Sequence, residues 1–190
     1  VSSTLNPAIV TGDNESDIYT LSTTADKTSP VGTYDITGSQ KQDFPAQNYD
    51  ITFQDGTYGI TKRSIAVTIA NKSSTYGNDH LTDKPLTATT TDAVANEDGI
   101  NTIVSLYTTD QSDNTVTLST TTDAGTYKIK GTAINNNYTV SFTEGTYTIQ
   151  KATITANITS YTGTYDGTYH NALTVAVTTV NSQTATVNYK

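Results

Sequence analysis

Few side chains in these 190 residues are placed to do chemistry. His80 and His170 stand in polar, loop-like stretches. General acid–base or metal chemistry needs acids or ligands converging on the imidazole, and no such constellation recurs beside either. Both read as solvent-exposed loop histidines. Two acidic stretches, Asp13-Asn14-Glu15-Ser16-Asp17 and Asp110-Gln111-Ser112-Asp113-Asn114, alternate oxygen-bearing side chains as a calcium loop does. Asp13, Glu15, Asp17, Asp110 and Asp113 are therefore candidate ligands. The glycine and the final glutamate of an EF-hand loop are missing, and Asp, Asn and Ser are also ordinary turn residues. Calcium is thus the weaker reading, and no other cofactor is expected. Tyr161, Tyr165 and Tyr169 are evenly spaced, so one extended strand would place them on a single face, where exposed rings could stack on sugar. The competing reading is that they pack the sheet or its turns.

Catalysis finds little support. The chain has no cysteine, a single arginine (Arg63) and 15 aspartates scattered over turns, which leave no triad, phosphate clamp or paired carboxylates. The expectation is a protein that is not an enzyme. Lysine–asparagine isopeptide links, a device of cysteine-free surface proteins, need a buried acid beside the pair, which sequence does not locate.

Composition fits that expectation. Threonine occurs 43 times, asparagine 15 and tyrosine 13, while charged residues make up only 15%. Threonine, tyrosine and valine suit a pleated, half-buried surface, so the chain reads as β-rich and extracellular. Its net charge of -8 opposes binding to nucleic acid or an anionic membrane surface. No apolar run is long enough to span a bilayer, and no signal-peptide core opens the chain. This is the expectation for a soluble fragment or a processed segment.

Self-similarity is the strongest signal. Gly32-Thr33-Tyr34-Asp35-Ile36-Thr37-Gly38 matches Gly125-Thr126-Tyr127-Lys128-Ile129-Lys130-Gly131, and Asn48-Tyr49-Asp50-Ile51-Thr52-Phe53 matches Asn137-Tyr138-Thr139-Val140-Ser141-Phe142. Asp55-Gly56-Thr57-Tyr58-Gly59-Ile60 then matches Glu144-Gly145-Thr146-Tyr147-Thr148-Ile149, and Leu21-Ser22-Thr23-Thr24 pairs with Leu118-Ser119-Thr120-Thr121. On this alignment the two acidic stretches are equivalent. Alternation in Tyr138–Phe142 indicates a strand with one buried face. Asp55-Gly56 and Glu144-Gly145 read as tight hairpin turns with glycine at positive φ. Tyr49, Ile51, Phe53, Tyr58 and Ile60, with Tyr138, Val140, Phe142, Tyr147 and Ile149, are the expected core.

Ile100, Ile103, Val104 and Tyr107 fall at helical spacing behind Glu97 and Asp98, predicting a helix of two to three turns within 96–107, the only substantial one. The expected fold class is α+β and β-rich, with tandem β-grasp-like repeats in which a sheet curls over one short helix. Residues 1–64 form a first repeat lacking its opening hairpin, 65–152 a complete one, and 153–190 the opening strands of a third. The tail is expected to pack on a neighbouring unit or another molecule.

Ser74-Thr75-Tyr76-Gly77-Asn78 before Pro85-Leu86-Thr87, with the Gly-Thr-Tyr and Asn-Tyr-Thr strands, resembles the YGX-type MBG repeats of bacterial surface adhesins. In lactic-acid bacteria these adjoin MucBP and Mub mucin-binding modules, and Thr184-Ala185-Thr186-Val187-Asn188-Tyr189-Lys190 looks like the first strand of one. The resemblance implies a wall-anchored extracellular protein of Gram-positive type and carries over no active site. The expected role is a stalk or spacer whose partners are neighbouring repeats and host mucin or glycoprotein glycans, without nucleic acid or membrane insertion. The alternatives are a carbohydrate-binding accessory module of a secreted glycosidase and a purely structural surface-lattice component.

Overall fold

The computed structural model describes residues 5, 8–43, 45–158, 162–168 and 175–178. The fold is β-rich, and its three α-helices among these residues are single turns of four residues. The first repeat contains α1 (Glu15–Ile18), β1 (Tyr19–Thr23), β2 (Gly32–Gln40) and β3 (Gly56–Ile60). The second contains β4 (Arg63–Ile69), β5 (Lys72–Thr75), α2 (His80–Asp83), β6 (Ala88–Thr89), α3 (Ile100–Ile103), β7 (Val104–Thr109), β8 (Gly125–Ala133), β9 (Tyr138–Thr143) and β10 (Gly145–Gln150). β11 (Thr155–Ile158) and β12 (Val175–Thr178) follow. Contacts divide the chain into two compact units: residues 1–64 with 94–98 and 135–139, and residues 65–93, 99–134 and 140–190. No helix of the described residues is long and apolar enough to cross a membrane.

The second repeat divides its strands between two ladders, β5-β10-β8-β7 and β6-β4-β9. The hairpin expected at Glu144-Gly145 is absent: β9 joins β4, whereas β10 runs antiparallel to β8 and parallel to β5. Gly145 is the corner at which the chain changes ladder. It is required for space and not for positive φ, because a Cβ there would lie 2.9 Å from the Ala70 carbonyl oxygen. Positive φ belongs to Gly77 (97°), the turn after β5.

The helix expected over 96–107 is one turn, Ile100–Ile103, and Val104 already begins β7. Ile103 and Val104 are both buried because they straddle this junction. The repeat is β-rich, its strands divided between two ladders with only short helical turns. β4 alternates Ile65, Val67 and Ile69 inward with Ser64, Ala66 and Thr68 outward. These three are buried, as are Ile129, Tyr147 and Ile149 of the same compact unit. The smaller core of the first repeat gathers Ile18, Tyr19 and Ala46, with Leu21, Tyr49, Ile51 and Phe53 against them.

The repeats share one internal register. Leu21 opposes Gly38 across β1–β2, and Leu106 opposes Gly131 across β7–β8. The counterpart of Leu21 is therefore Leu106. Leu118, expected in that role, is a buried residue beyond the strand. Likewise Tyr34 faces Tyr58 as Tyr127 faces Tyr147. The last ladder, β11–β12, pairs Ile158 with Val175, just as β4–β6 pairs Ile69 with Ala88. The chain beyond residue 152 thus repeats the β4–β6 pairing.

Candidate functional site

The feature built twice is a tyrosine that locks a loop. The Tyr49 hydroxyl donates to an Asp13 carboxylate oxygen (2.6 Å) and accepts from the Val10 amide (3.1 Å). The Tyr138 hydroxyl donates to Asp98 (2.7 Å) and accepts from the Ala95 amide (2.9 Å). Each aspartate stands shortly before its helical turn, α1 or α3, so the tyrosine ties the turn's entry to the segment bearing the Asn-Tyr motif, which is strand β9 in the second repeat but, against the expectation of a strand, irregular chain at residues 49–55 in the first. Burial, then the bond to Asp98, raises the Tyr138 phenol above its ordinary range. The bond to Asp13 is the leading cause of the same shift at Tyr49.

This geometry corrects the equivalence of the acidic stretches. Asp13 corresponds to Asp98, and Asp110 corresponds to Asp26. Asp26 accepts from the Thr28 amide, and Asp110 from the amides of Ser112 and Asn114 and the Asn114 side chain. These hydrogen bonds hold both carboxyls below the usual carboxylate range, the leading contributions coming from Thr28 and Asn114. Glu15 accepts from the Tyr19 hydroxyl (2.8 Å), and Asp17 from the Asn14 side chain (3.3 Å). Asp113 receives Lys128 (2.7 Å) and Lys130 (2.8 Å), with Glu144 3.6 Å from Lys130. The Lys128 and Lys130 ammoniums bring the Asp113 carboxyl down to about 2. Each candidate ligand thus has a structural partner, and no group of three or more His, Cys, Asp or Glu that could hold a metal ion exists among the described residues.

His80 is not a solvent-exposed loop residue. It is fully buried at the start of α2, where the Asp79 side chain caps the turn by accepting from the Thr82 amide. The neighbouring contacts explain its burial. Its Nδ1 pairs with the Ser74 hydroxyl, its carbonyl accepts from the Tyr147 hydroxyl (2.7 Å), and the Tyr147 ring meets it edge-on at 6.0 Å. Its Nε2 has no hydrogen-bond partner among the described residues. His170 lies outside the described residues, as do Tyr161 and Tyr169. Tyr165 is 95% exposed.

The expected core divides unevenly. Tyr138, Tyr147 and Ile149 are buried, Tyr49, Ile51, Phe53, Ile60, Val140 and Phe142 are half-buried, and Tyr58 is exposed. Tyr147 is covered by His80, and the described part of the first repeat contains no counterpart of β5 or α2 to cover Tyr58.

These paired frameworks, repeated along the chain, define a modular β-rich repeat protein. The chain belongs to the MBG domain family of the YGX type, whose pattern matches residues 2–59 and 65–148. That family is one of non-catalytic repeat modules of surface proteins. No curated protein and no solved structure matches the chain.

Proposed function

We propose that this chain is a stalk-forming segment of a bacterial cell-surface adhesin, exported and wall-anchored as part of a longer protein. In this reading it spaces its neighbours from the wall and offers weak sites for mucin-type or other host glycoprotein glycans. The observation that carries the reading is the duplication of the tyrosine lock and strand register, with titratable groups committed to loop stability. Weak sites repeated along one chain gain avidity through effective concentration. Tyr165, exposed in the 162–168 segment, offers a ring face to a sugar.

The test is binding of the whole chain to arrayed mucin-type glycans at millimolar sensitivity, with Tyr165→Ala as comparison. Saturable binding weakened by that substitution supports the adhesive role. Complete absence of binding leaves a spacer alone and removes the glycan from the reading. Hydrolysis of an arrayed glycan or peptide, abolished by one point substitution, would overturn it.

A further inference from the structure

We propose that Asn137 is the clasp by which the second repeat binds the one before it, its side chain closing on the Val31 amide at the entry to the Gly-Thr-Tyr strand β2. The boundary of the first compact unit points to this. That unit takes residues 94–98 and 135–139 from the second repeat and gathers them with residues 1–64. Both of these pieces belong to the Tyr138 lock, since the Tyr138 hydroxyl joins Ala95 and Asp98. The lock thus does more than tie down its own loop. It assembles a block that packs with the neighbouring repeat.

Asn137 makes the connection. Its Oδ1 accepts from the Val31 amide at 2.9 Å, and its carbonyl accepts from the Arg63 amide at 2.9 Å. Its own amide donates to the Asn135 side chain (3.0 Å), an Asx turn that fixes where the Asn137 side chain starts. An amide donor is answered only by the oxygen of a carboxamide, so Val31 also sets which way that side chain is turned. The Gly-Thr-Tyr motif prepares the other half of the contact. The Tyr34 hydroxyl donates to the Pro30 carbonyl (2.7 Å), which holds the turn just before Val31. Tyr127 donates to the Asp123 carbonyl (2.9 Å) in the same way, so the presentation is a property of the motif. Burial marks the contact too. Val31 and Asn137 are half-buried, whereas Ala124 and Asn48, which hold the same motif positions, are exposed.

The Asn-Tyr motif of the second repeat therefore has two jobs. Its tyrosine secures the loop before α3, and its asparagine secures the preceding repeat. In a repeat protein, stability is the sum of each unit's own contribution and a nearest-neighbour contribution. The Val31–Asn137 bond is of the second kind. A half-buried amide left without its acceptor is costly, so the first repeat is stabilised in part by a residue of the next. This deepens the spacer reading above and rests on it for its purpose, since a spacer needs successive repeats that hold one another. It requires no ligand, so failure to bind any glycan would leave it standing.

The experiment is NMR on the whole chain. A scalar coupling across the hydrogen bond, from the Val31 amide nitrogen to the Asn137 side-chain carbonyl carbon, should be seen alongside those of the β1–β2 ladder. Native-state hydrogen exchange then compares Asn137→Leu, which keeps the shape and removes the acceptor, with Asn137→Asp, which keeps an oxygen there. In Asn137→Leu the Val31 amide and the β1-β2-β3 ladder should exchange at least about tenfold faster, with the β7–β8 ladder of the second unit unchanged. Asn137→Asp should keep the native pattern. Coupling is reciprocal, so Tyr34→Phe, which leaves Asn137 in place, should speed exchange at the Asn137 and Tyr138 amides. That variant decides the matter should Asn137→Leu not fold. Couplings visible across β1–β2 but absent at Val31 would overturn the proposal. So would exchange that quickens equally in both ladders or in neither, or Tyr34→Phe leaving Asn137 and Tyr138 untouched. Protection lost as fully in Asn137→Asp as in Asn137→Leu would overturn it as well, because the acceptor oxygen would not be what binds.

Discussion

The Phe142 ring lies against the Cα of Gly131, on the neighbouring stretch of the same fold, and Phe53 lies against Gly38 in the same way. A Cβ at either glycine would fall inside the ring's van der Waals envelope. The glycine that ends each Gly-Thr-Tyr motif is thus a socket for the aromatic residue that ends each Asn-Tyr motif.

Gly131→Ala should therefore destabilise the second repeat by about 1–3 kcal/mol, since the ring must leave its seat. Gly38→Ala should do the same in the first. Equilibrium denaturation of Gly131→Ala, Phe142→Leu and the double variant checks this. The double variant should be less destabilised than the sum, with a coupling of at least about 0.5 kcal/mol. Strict additivity would mean that the two side chains do not compete for the same space.

The motif glycines and their partners were legible as recurring letters, and β2 and β8 both run nine residues from the Gly-Thr-Tyr start. Strand partners were less legible. β9 and β10 adjoin in sequence around a glycine, which suggests a hairpin, but the ladder is settled by β4 and β5, whose contacts are distant in sequence. The apolar stripe Ile100, Ile103, Val104, Tyr107 fits a helix by spacing, yet a window this short fits a turn followed by a strand equally well. His80 misled because its neighbours are polar. Its burial comes from Tyr147, and the only sequence hint was the second histidine about one repeat later. The tyrosine locks went unrecognised because they join Asp13 to Tyr49 and Asp98 to Tyr138 across intervening strands.

Those locks make unequal demands. Tyr138 is buried and Tyr49 half-buried, so Tyr138→Phe should cost about 1–3 kcal/mol and Tyr49→Phe less. Deletion of the hydroxyl leaves Asp98 and the Ala95 amide without their shared partner. The raised phenol also sets a sign. The folded state keeps the Tyr138 proton more tightly than the unfolded chain, so its contribution is complete below the unfolded value of 10.0 and fades as pH rises through the higher folded value. Alkaline denaturation of the native chain and of Tyr138→Phe should therefore converge above that pH. Parallel curves throughout would remove the lock from the account.

The Asp113 cluster behaves oppositely. Its carboxyl is depressed to about 2 by Lys128 and then Lys130, so the linkage favours the folded state above the usual value of 3.8 and disappears as pH falls through about 2. Carbon-detected NMR titration of Asp113 should place its midpoint near the lower figure. Lys128→Met should move it upward and Lys130→Met should move it less. Equal, unshifted midpoints in all three proteins would show that the ammoniums do not hold the carboxylate in solution.

Gly56 and Gly145 occupy the same repeat position but should respond differently to alanine. At Gly145 a Cβ would lie 2.9 Å from the Ala70 carbonyl oxygen and 3.0 Å from that of Ile69, both backbone atoms that cannot rotate away. At Gly56 it would meet only the Ile36 side chain at 3.8 Å, an ordinary contact. The difference follows from the opening strands: the backbone at 69–70, between β4 and β5, closes over Gly145, and the described first repeat has no counterpart to close over Gly56. Gly145→Ala should therefore cost about 1–3 kcal/mol through displaced backbone. Gly56→Ala should stay within about 0.5 kcal/mol of the native chain, because it creates neither overpacking nor a cavity. Thermal unfolding of both variants decides the point. An equal loss would mean that the glycine serves the turn itself, whatever lies above it.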